Sequence, residues 1–203
     1  MPRLMIIVGS TRPGRAGLPI TQWLLAQART HGGFDIDLVD LAELNLPLLD
    51  EPHLPRLRQY TQQHTKDWSA IVEASDAFVF VTPEYNFGYP ASVKNAIDYL
   101  HSEWHHKPVG FVSYGGVAAG TRAVQQLKQV VTTLRMLPVF ESVNIPWHPQ
   151  FIADGKFNAT DVLDHAAKAM LDELARTEAA LRPLRAPLPT QSNGAAPVTS
   201  RTS

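Results

Sequence analysis

The segment of residues 9–17 is the feature that most constrains the fold of this chain. It reads Gly-Ser-Thr-Arg-Pro-Gly-Arg-Ala-Gly and directly follows an apolar run, residues 4–8. An apolar run of this length that ends at a glycine is typical of a buried parallel strand. Beyond the segment, Ile20, Leu24 and Ala28 recur at the spacing of one helix face. The sequence therefore predicts a strand–loop–helix turn, which points backbone N–H groups and a helix N-terminus at an anion.

The residue types in this loop suit a phosphate monoester. Ser10 and Thr11 offer hydroxyl donors, and Arg12 and Arg15 add positive charge in a forked geometry. A P-loop is excluded because no lysine followed by a hydroxyl residue comes after Gly14. The dinucleotide fingerprint also fails, since Thr11 stands where its second glycine must be. The loop favours a monophosphate, and the alternative is a plain strand–helix turn.

Composition narrows the class of protein. The chain has 203 residues, of which 44% are hydrophobic and 18% charged, enough for one α/β domain. A formal net charge of -1 gives no basic stripe, so we expect no nucleic-acid partner. The absence of cysteine excludes disulfides, thiolate catalysis and cysteine-ligated zinc, so redox activity requires a bound cofactor. We see neither a signal peptide nor a membrane-spanning stretch and expect a cytoplasmic protein.

Strand and helix patterns alternate along the chain. Strands are predicted at residues 4–8, 34–41, 77–81, 109–113 and 137–140. Helices are predicted from residue 17 to about residue 31, then at residues 56–74, 92–100 and 121–134, and from an N-cap at Thr160 to about residue 181. This alternation predicts a flavodoxin-like three-layer α/β fold with a five-stranded parallel sheet of order 2-1-3-4-5. We assign residues 1–184 to this domain and residues 185–203, rich in Pro, Ser and Thr, to a flexible tail.

Two more loops are predicted at the same sheet edge as the first. In open parallel sheets, ligands bind beyond the carboxyl ends of the strands. The loop after strand three combines proline, aromatic residues and glycine, and can lie flat against a ring system. The loop after strand four carries paired glycines, which let the backbone approach a ligand closely.

Together these loops resemble the NADPH-dependent FMN reductase family. The match spans residues 4–140 and rests on residues 9–12, 83–86, 92–98 and 113–116. It implies that the first loop holds the FMN phosphate and that the second and third flank the isoalloxazine. Many relatives carry a second Ser and an Asn further along the first loop, where this chain has Arg15, Ala16 and Gly17. The cofactor-binding residues implied are Gly9, Ser10, Thr11, Arg12, Arg15, Gly17, Leu18, Pro83, Glu84, Tyr85, Asn86, Ser113, Tyr114, Gly115 and Gly116.

The resemblance also implies an activity. Hydride would pass from NADPH or NADH through FMN to a flavin, quinone, azo or metal-oxyanion acceptor, with ping-pong kinetics. The flavin performs this chemistry, so no side chain is assigned as catalytic. A small-molecule acceptor and a homodimer or homotetramer are the expected partners.

Three alternatives are weighed against this interpretation. A flavodoxin-type electron carrier would need a partner reductase, but such carriers are strongly acidic and this chain is nearly neutral. A hydrolase with Ser113 as nucleophile is disfavoured because Phe111 stands where the strained turn requires glycine. His101 and His105 have the spacing of a helical metal-ligand pair, with His106 beside them, but the helix is predicted to end there, and we expect no metal site.

Overall fold

A parallel sheet forms the centre of the molecule, for which the computed structural model describes residues 1–186. Its strands are β1 (Arg3–Val8), β2 (Asp35–Asp40), β3 (Ala77–Pro83), β4 (Pro108–Tyr114), β5 (Leu137–Pro138) and β6 (Val143–Ile145). The order is β2-β1-β3-β4-β5, and β6 also pairs with β4. The predicted flavodoxin-like fold and strand order are confirmed.

Within residues 1–186, six α-helices pack around the sheet. They are α1 (Gly17–His31), α2 (Leu41–Leu44), α3 (Gln63–Glu73), α4 (Ala91–Asp98), α5 (Thr121–Thr133) and α6 (Asp161–Leu181). Successive residues of β1 point to opposite faces, so Ile6 packs with α1 and α6 while Ile7 packs with α3, α4 and α5. As predicted, Thr160 caps α6, and its side chain accepts a hydrogen bond from the Leu163 amide.

The predicted helix of residues 56–74 is shorter than expected. Its first part is a 3₁₀ turn, Pro55–Leu57, which ends at Arg58 in the left-handed conformation with φ of 53°. Just before α3, the Thr61 and Gln62 amides donate to the Glu51 carboxylate at 2.8 and 3.0 Å. The buried Glu103 carboxylate accepts hydrogen bonds from Tyr60 Oη and Ser69 Oγ at 2.7 Å each. Burial raises the pKa of Glu103, but the hydrogen bonds from Ser69 and Tyr60 outweigh it and hold the pKa below its ordinary value.

The predicted strand of residues 137–140 was also wrong in extent. β5 has only two residues, Leu137 and Pro138; the Val139 amide still donates to Val109 O at 3.0 Å, and the chain then leaves the sheet at Phe140, which is exposed. After four intervening residues the chain returns to the sheet at Val143 as β6, which the sequence analysis missed. It then forms a small hairpin of β7 (Ile152–Ala153) and β8 (Lys156–Phe157), also missed.

The end of α6 is fixed to the sheet. Arg185, placed in the predicted tail, donates to Glu178 at 2.6 Å and to Asp76 at 2.9 Å. The rest of that tail, residues 187–203, lies outside the described residues. Within residues 1–186, the structure contains no helix long and apolar enough to cross a membrane.

Candidate ligand-binding site

The three predicted loops meet at the carboxyl ends of β1, β3 and β4. They enclose a narrow cleft of about 70 Å³. Ten residues line it: Ser10, Arg12, Arg15, Ala16, Pro83, Glu84, Tyr85, Tyr114, Gly115 and His148. Eight of these belong to the predicted site, so the topology brings residues more than 100 positions apart to one edge of the sheet.

Close backbone packing fixes the start of the first loop. The Gly9 amide donates to Val81 O at 2.9 Å, and Ser92 Oγ donates to Gly9 O at 2.6 Å. A Cβ on Gly9 would lie 2.7 Å from Val93 Cγ2, which leaves no room for a side chain. Gly9 therefore shapes the loop rather than lining the cleft.

The buried hydroxyl of Ser10 joins the first loop to the second. Ser10 Oγ lies 2.6 Å from Tyr85 Oη, and the Arg12 amide donates weakly to the same oxygen at 3.4 Å. Ser10 is fully buried, whereas Arg12 is exposed at the rim of the cleft. A hydroxyl and an arginine therefore stand beside the start of α1.

The N-terminus of α1 is available to an anion. Within the described residues no side chain caps it, and its first turn carries no acidic residue. Arg15 is anchored by an ion pair with the Asp40 carboxylate, yet its Nε is buried with no hydrogen-bond partner among residues 1–186. Buried polar groups are normally satisfied, so this atom points to an oxygen-rich ligand.

The second loop is a tight turn that projects two residues. Tyr85 and Gly88 exchange backbone hydrogen bonds of 2.8 and 2.9 Å, while Asn86 and Phe87 both have positive φ at the tip. These two hydrogen bonds use the amides of Tyr85 and Gly88, and the amides of Asn86 and Phe87 lie at the tip of the turn. The Arg122 guanidinium forms an ion pair with Glu84 and lies 3.8 Å from the Phe87 ring centroid. Because Arg122 belongs to α5, these contacts hold the turn against that helix.

The third loop is closed by direct backbone contact. Gly120 has φ of 79°, and a Cβ there would lie 2.9 Å from Tyr114 N, Tyr114 O and Ser113 Cβ. Tyr114 Oη is buried and, within residues 1–186, has no hydrogen-bond partner. Burial raises the pKa of Tyr114, so its hydroxyl stays protonated and is a donor at neutral pH. A Cβ on Gly17 would lie 2.8 Å from this hydroxyl, which places it against the start of α1.

Sequence analysis missed His148. It lies just after β6, and its Nδ1 is 3.1 Å from Gly115 O, with its ring packed 5.2 Å from that of Tyr114. Had β6 been recognised as a strand, the rule that ligands bind beyond strand ends would have singled out this segment.

Several predicted residues lie beside the cleft rather than on it. Thr11 lines a separate cavity with α2 and α4, and Leu18 lines a larger cavity beyond α1. Ser113 is buried and donates to Asn144 Oδ1 at 3.0 Å, which ties β4 to β6 and gives it no histidine partner for hydrolysis. Of the predicted set, the cleft lining also omits Gly9, Gly17, Asn86 and Gly116.

The histidine cluster lies apart from the cleft, beside α4. The rings of His101 and His105 are 4.9 Å apart, and those of His105 and His106 are 6.0 Å apart. Burial, followed by the charge of His101, lowers the pKa of His105. Residues 1–186 contain no group of three or more His, Cys, Asp or Glu that could hold a metal ion, and the absence of a metal site stays a prediction.

The arrangement suits a planar, phosphorylated ligand. Within residues 1–186, Tyr114 Oη and Arg15 Nε are buried without hydrogen-bond partners, the N-terminus of α1 has no side-chain cap, and the second and third loops line the same cleft. A few fixed polar groups among partly apolar loops are typical of cofactor clefts.

Comparison with known proteins gives a consistent result. The sequence profile of the family described as NADPH-dependent FMN reductase matches residues 2–149. Over 149 residues the chain is 42% identical to an NAD(P)H-dependent FMN reductase of Schizosaccharomyces pombe, covering 71% of this chain and 74% of the relative. It is 45% identical over 142 residues to an NAD(P)H-dependent FMN reductase of Saccharomyces cerevisiae, covering 64% and 74%. The solved structure of FerB, a flavoenzyme NAD(P)H:(acceptor) oxidoreductase of Paracoccus denitrificans, has a TM-score of 0.70 at 22% identity, covering 87% and 99%.

Proposed function

This chain belongs to the NADPH-dependent FMN reductase family, and from that premise we propose that its three loops hold FMN and that the protein carries electrons from NAD(P)H to a small-molecule acceptor. Membership of the family makes the protein an FMN- and NAD(P)H-dependent oxidoreductase. The residues that bind the cofactor, the acceptor and the order of substrates are the substance of the proposal.

We assign the phosphate of FMN to the start of α1 because two buried donors there lack hydrogen-bond partners within residues 1–186. Tyr114 Oη and Arg15 Nε are both buried and lack hydrogen-bond partners within residues 1–186. A phosphate placed beside Ser10 and the first turn of α1 would satisfy such donors and meet the positive end of the helix dipole. Arg12 supplies the exposed positive charge at the rim.

The second and third loops supply the surface for the ring. Pro83 and Tyr85 of the second loop and Tyr114 and Gly115 of the third loop line the cleft. The tip amides of the turn, at Asn86 and Phe87, are the backbone donors that we assign to the polar edge of the isoalloxazine. The cleft as it stands is narrow, so binding requires the turn of Tyr85–Gly88 to shift outward, which its exposed tip permits.

Bound FMN supplies the two-electron chemistry, accepting hydride from NAD(P)H and delivering electrons to an acceptor. We propose that the dinucleotide and the acceptor would use the same part of the cleft in turn, with no side-chain acid or base required. On this proposal NAD(P)⁺ would leave before the acceptor enters, which would give ping-pong kinetics. The acceptors that we propose are those that the family resemblance implies, namely flavins, quinones, azo compounds and metal oxyanions.

We also propose that the protein acts as a homodimer or homotetramer. The exposed apolar side chains of Leu49 and Leu54 adjoin α4, where Lys94 and Asp98 form an ion pair on the surface. Apolar area flanked by charge of both signs is typical of an interface. Light scattering on the eluting protein measures the assembly, and a monomeric mass would contradict this proposal.

A spectroscopic titration tests the proposed function. FMN is added to the purified protein, and NADPH follows without oxygen while the visible flavin absorption is recorded. We expect the protein to bind FMN tightly, and NADPH to bleach the flavin absorption rapidly with no other protein present. Bleaching only after a partner reductase is added would favour the electron carrier, and the absence of FMN binding would refute the assignment of the cleft. Parallel lines in reciprocal plots against acceptor concentration would support the ping-pong order, and intersecting lines would contradict it.

A further inference from the structure

A second, much larger cavity adjoins the cleft on the far side of the first loop. Its volume is about 960 Å³, and it lies between α1, the first loop and the β7–β8 hairpin. It shares four lining residues with the cleft, so the two spaces are continuous around the loop: Arg12, Arg15, Ala16 and His148. Its volume falls in the range of small-molecule sites, about 300–1,000 Å³.

A fixed aromatic wall forms one side of this cavity. The rings of Trp23 and Phe157 lie 5.3 Å apart, so α1 and the hairpin pack together there. Trp23 Nε1 donates to Asp164 Oδ1 at 2.8 Å, which holds the indole in place from α6. Leu18 and Ile152 extend the apolar surface. A rigid indole with apolar neighbours is a surface on which a purine base packs.

The charged side chains that line the cavity are all basic. Arg12, Arg15 and Lys156 line it together with the polar residues Gln22 and His148, and among the described residues that line it none is acidic. Asp40 neutralises Arg15 through their ion pair, which leaves two exposed charges, Arg12 in the first loop and Lys156 in the β7–β8 hairpin. An aromatic wall beside two cations suits a purine that carries phosphate groups.

We propose that this cavity binds the adenosine end of the nicotinamide dinucleotide, and that Lys156 contacts the 2′-phosphate and so favours NADPH over NADH. The inference rests on the proposed function, since the nicotinamide must reach the cleft while the rest of the dinucleotide extends from it. Lys156 belongs to the hairpin, which follows residue 149, where the match to the family ends. The choice of dinucleotide is therefore assigned to a part of this chain outside the matched region.

The first test measures binding without turnover. Adenosine 2′,5′-bisphosphate and adenosine 5′-monophosphate, which differ by the 2′-phosphate, are titrated calorimetrically into the FMN-loaded protein. We expect the bisphosphate to bind more tightly than the monophosphate. Lys156→Ala should lower the ratio of the two affinities about tenfold, which is the loss expected for a charge-assisted hydrogen bond at an exposed site. Lys66→Ala is the matched control, because Lys66 is exposed on α3 at the opposite face of the sheet.

The second test measures selectivity in the reaction. We expect Lys156→Ala to raise KM for NADPH about tenfold while KM for NADH, kcat and the FMN dissociation constant stay unchanged. Trp23→Ala should raise KM for both dinucleotides, since both carry adenine.

Two results would overturn the inference. If Lys156→Ala weakens the binding of both adenosine ligands equally, or changes neither affinity, Lys156 does not contact the 2′-phosphate. A fall in FMN affinity in Lys156→Ala would show that the cavity belongs to the flavin phosphate. Because the calorimetric test needs no turnover, a protein that binds the bisphosphate selectively but does not oxidise NADPH would contradict the proposed function alone.

Discussion

Replacing Gly120 with alanine tests whether backbone contact closes the third loop. The new Cβ would lie 2.9 Å from three atoms of Ser113 and Tyr114, two of them in the backbone. Alanine in the left-handed conformation costs about 1–2 kcal/mol, and forced overpacking adds about 1–3 kcal/mol. We expect the free energy of unfolding to fall by about 2–5 kcal/mol, the sum of these two costs.

Gly14→Ala provides the matched control. Gly14 also has positive φ, 67°, but an added Cβ there meets no atom within 4 Å. This variant should lose only the conformational cost of about 1–2 kcal/mol. The two variants should therefore differ by about 1–3 kcal/mol, or roughly 2–12 °C in Tm at about 2–4 °C per kcal/mol for a domain of this size.

Urea and thermal unfolding of the FMN-free variants measure this difference. The cofactor must be absent because a ligand that binds only the folded state adds its own stabilisation. Gly120→Ala should also weaken FMN binding, since Ser113 and Tyr114 must shift to accommodate the methyl group. Equal stability of the two variants, within about 0.5 kcal/mol, would refute the reasoning, because it would show that the loop relaxes without cost.

Three further substitutions have defined outcomes. Arg12→Ala should weaken FMN binding about ten- to a hundredfold in a fluorescence titration, while Arg29→Ala, at the other end of α1, should leave it unchanged; unchanged affinity in both would show that the phosphate end is misassigned. Glu103→Gln should lower the free energy of unfolding by about 2 kcal/mol at neutral pH. Because the folded-state pKa of Glu103 lies below its ordinary value of 4.5, this stabilisation is present above pH 4.5 and is lost as the pH falls through the folded-state pKa; a difference between wild type and variant that persists in acid would contradict this. Thr160→Ala should cost about 1 kcal/mol and lower Tm by about 2–4 °C, and a Tm equal to that of wild type in differential scanning calorimetry would show that the cap contributes nothing.

The elements that the sequence predicted correctly are those with local causes. Residues 4–8 are apolar without interruption and end at Gly9, so a buried strand and a turn follow whatever lies around them. The helix that ends near His31 was predicted from the spacing of Ile20 and Leu24, and both are fully buried against the sheet. The start of α6 followed from the Thr160 cap.

The elements that were missed depend on distant partners. Residues 143–145 and the hairpin are too short to show a periodic pattern, and they pair because β4 and the aromatic side chain of Trp23 are already in place. The helix predicted from residue 56 starts only at Gln63, and tertiary contacts hold the segment before it: Glu51 accepts hydrogen bonds from the Thr61 and Gln62 amides, and Glu103 accepts one from Tyr60 Oη. Short segments gain most of their stability from such tertiary contacts.

The sequence alone was enough to predict the buried strand at residues 4–8, the loop at residues 9–17 with the helix that follows it, the strand order and the three loops of the candidate site. Only the tertiary structure joined Ser10 to Tyr85, brought His148 against Gly115, and left Tyr114 Oη and Arg15 Nε buried without partners in the described residues. The physical reason is that hydrophobic periodicity and turn chemistry act over a few neighbouring residues. The hydrogen bonding of a buried polar atom, by contrast, depends on which distant groups the completed fold brings within about 3 Å of it.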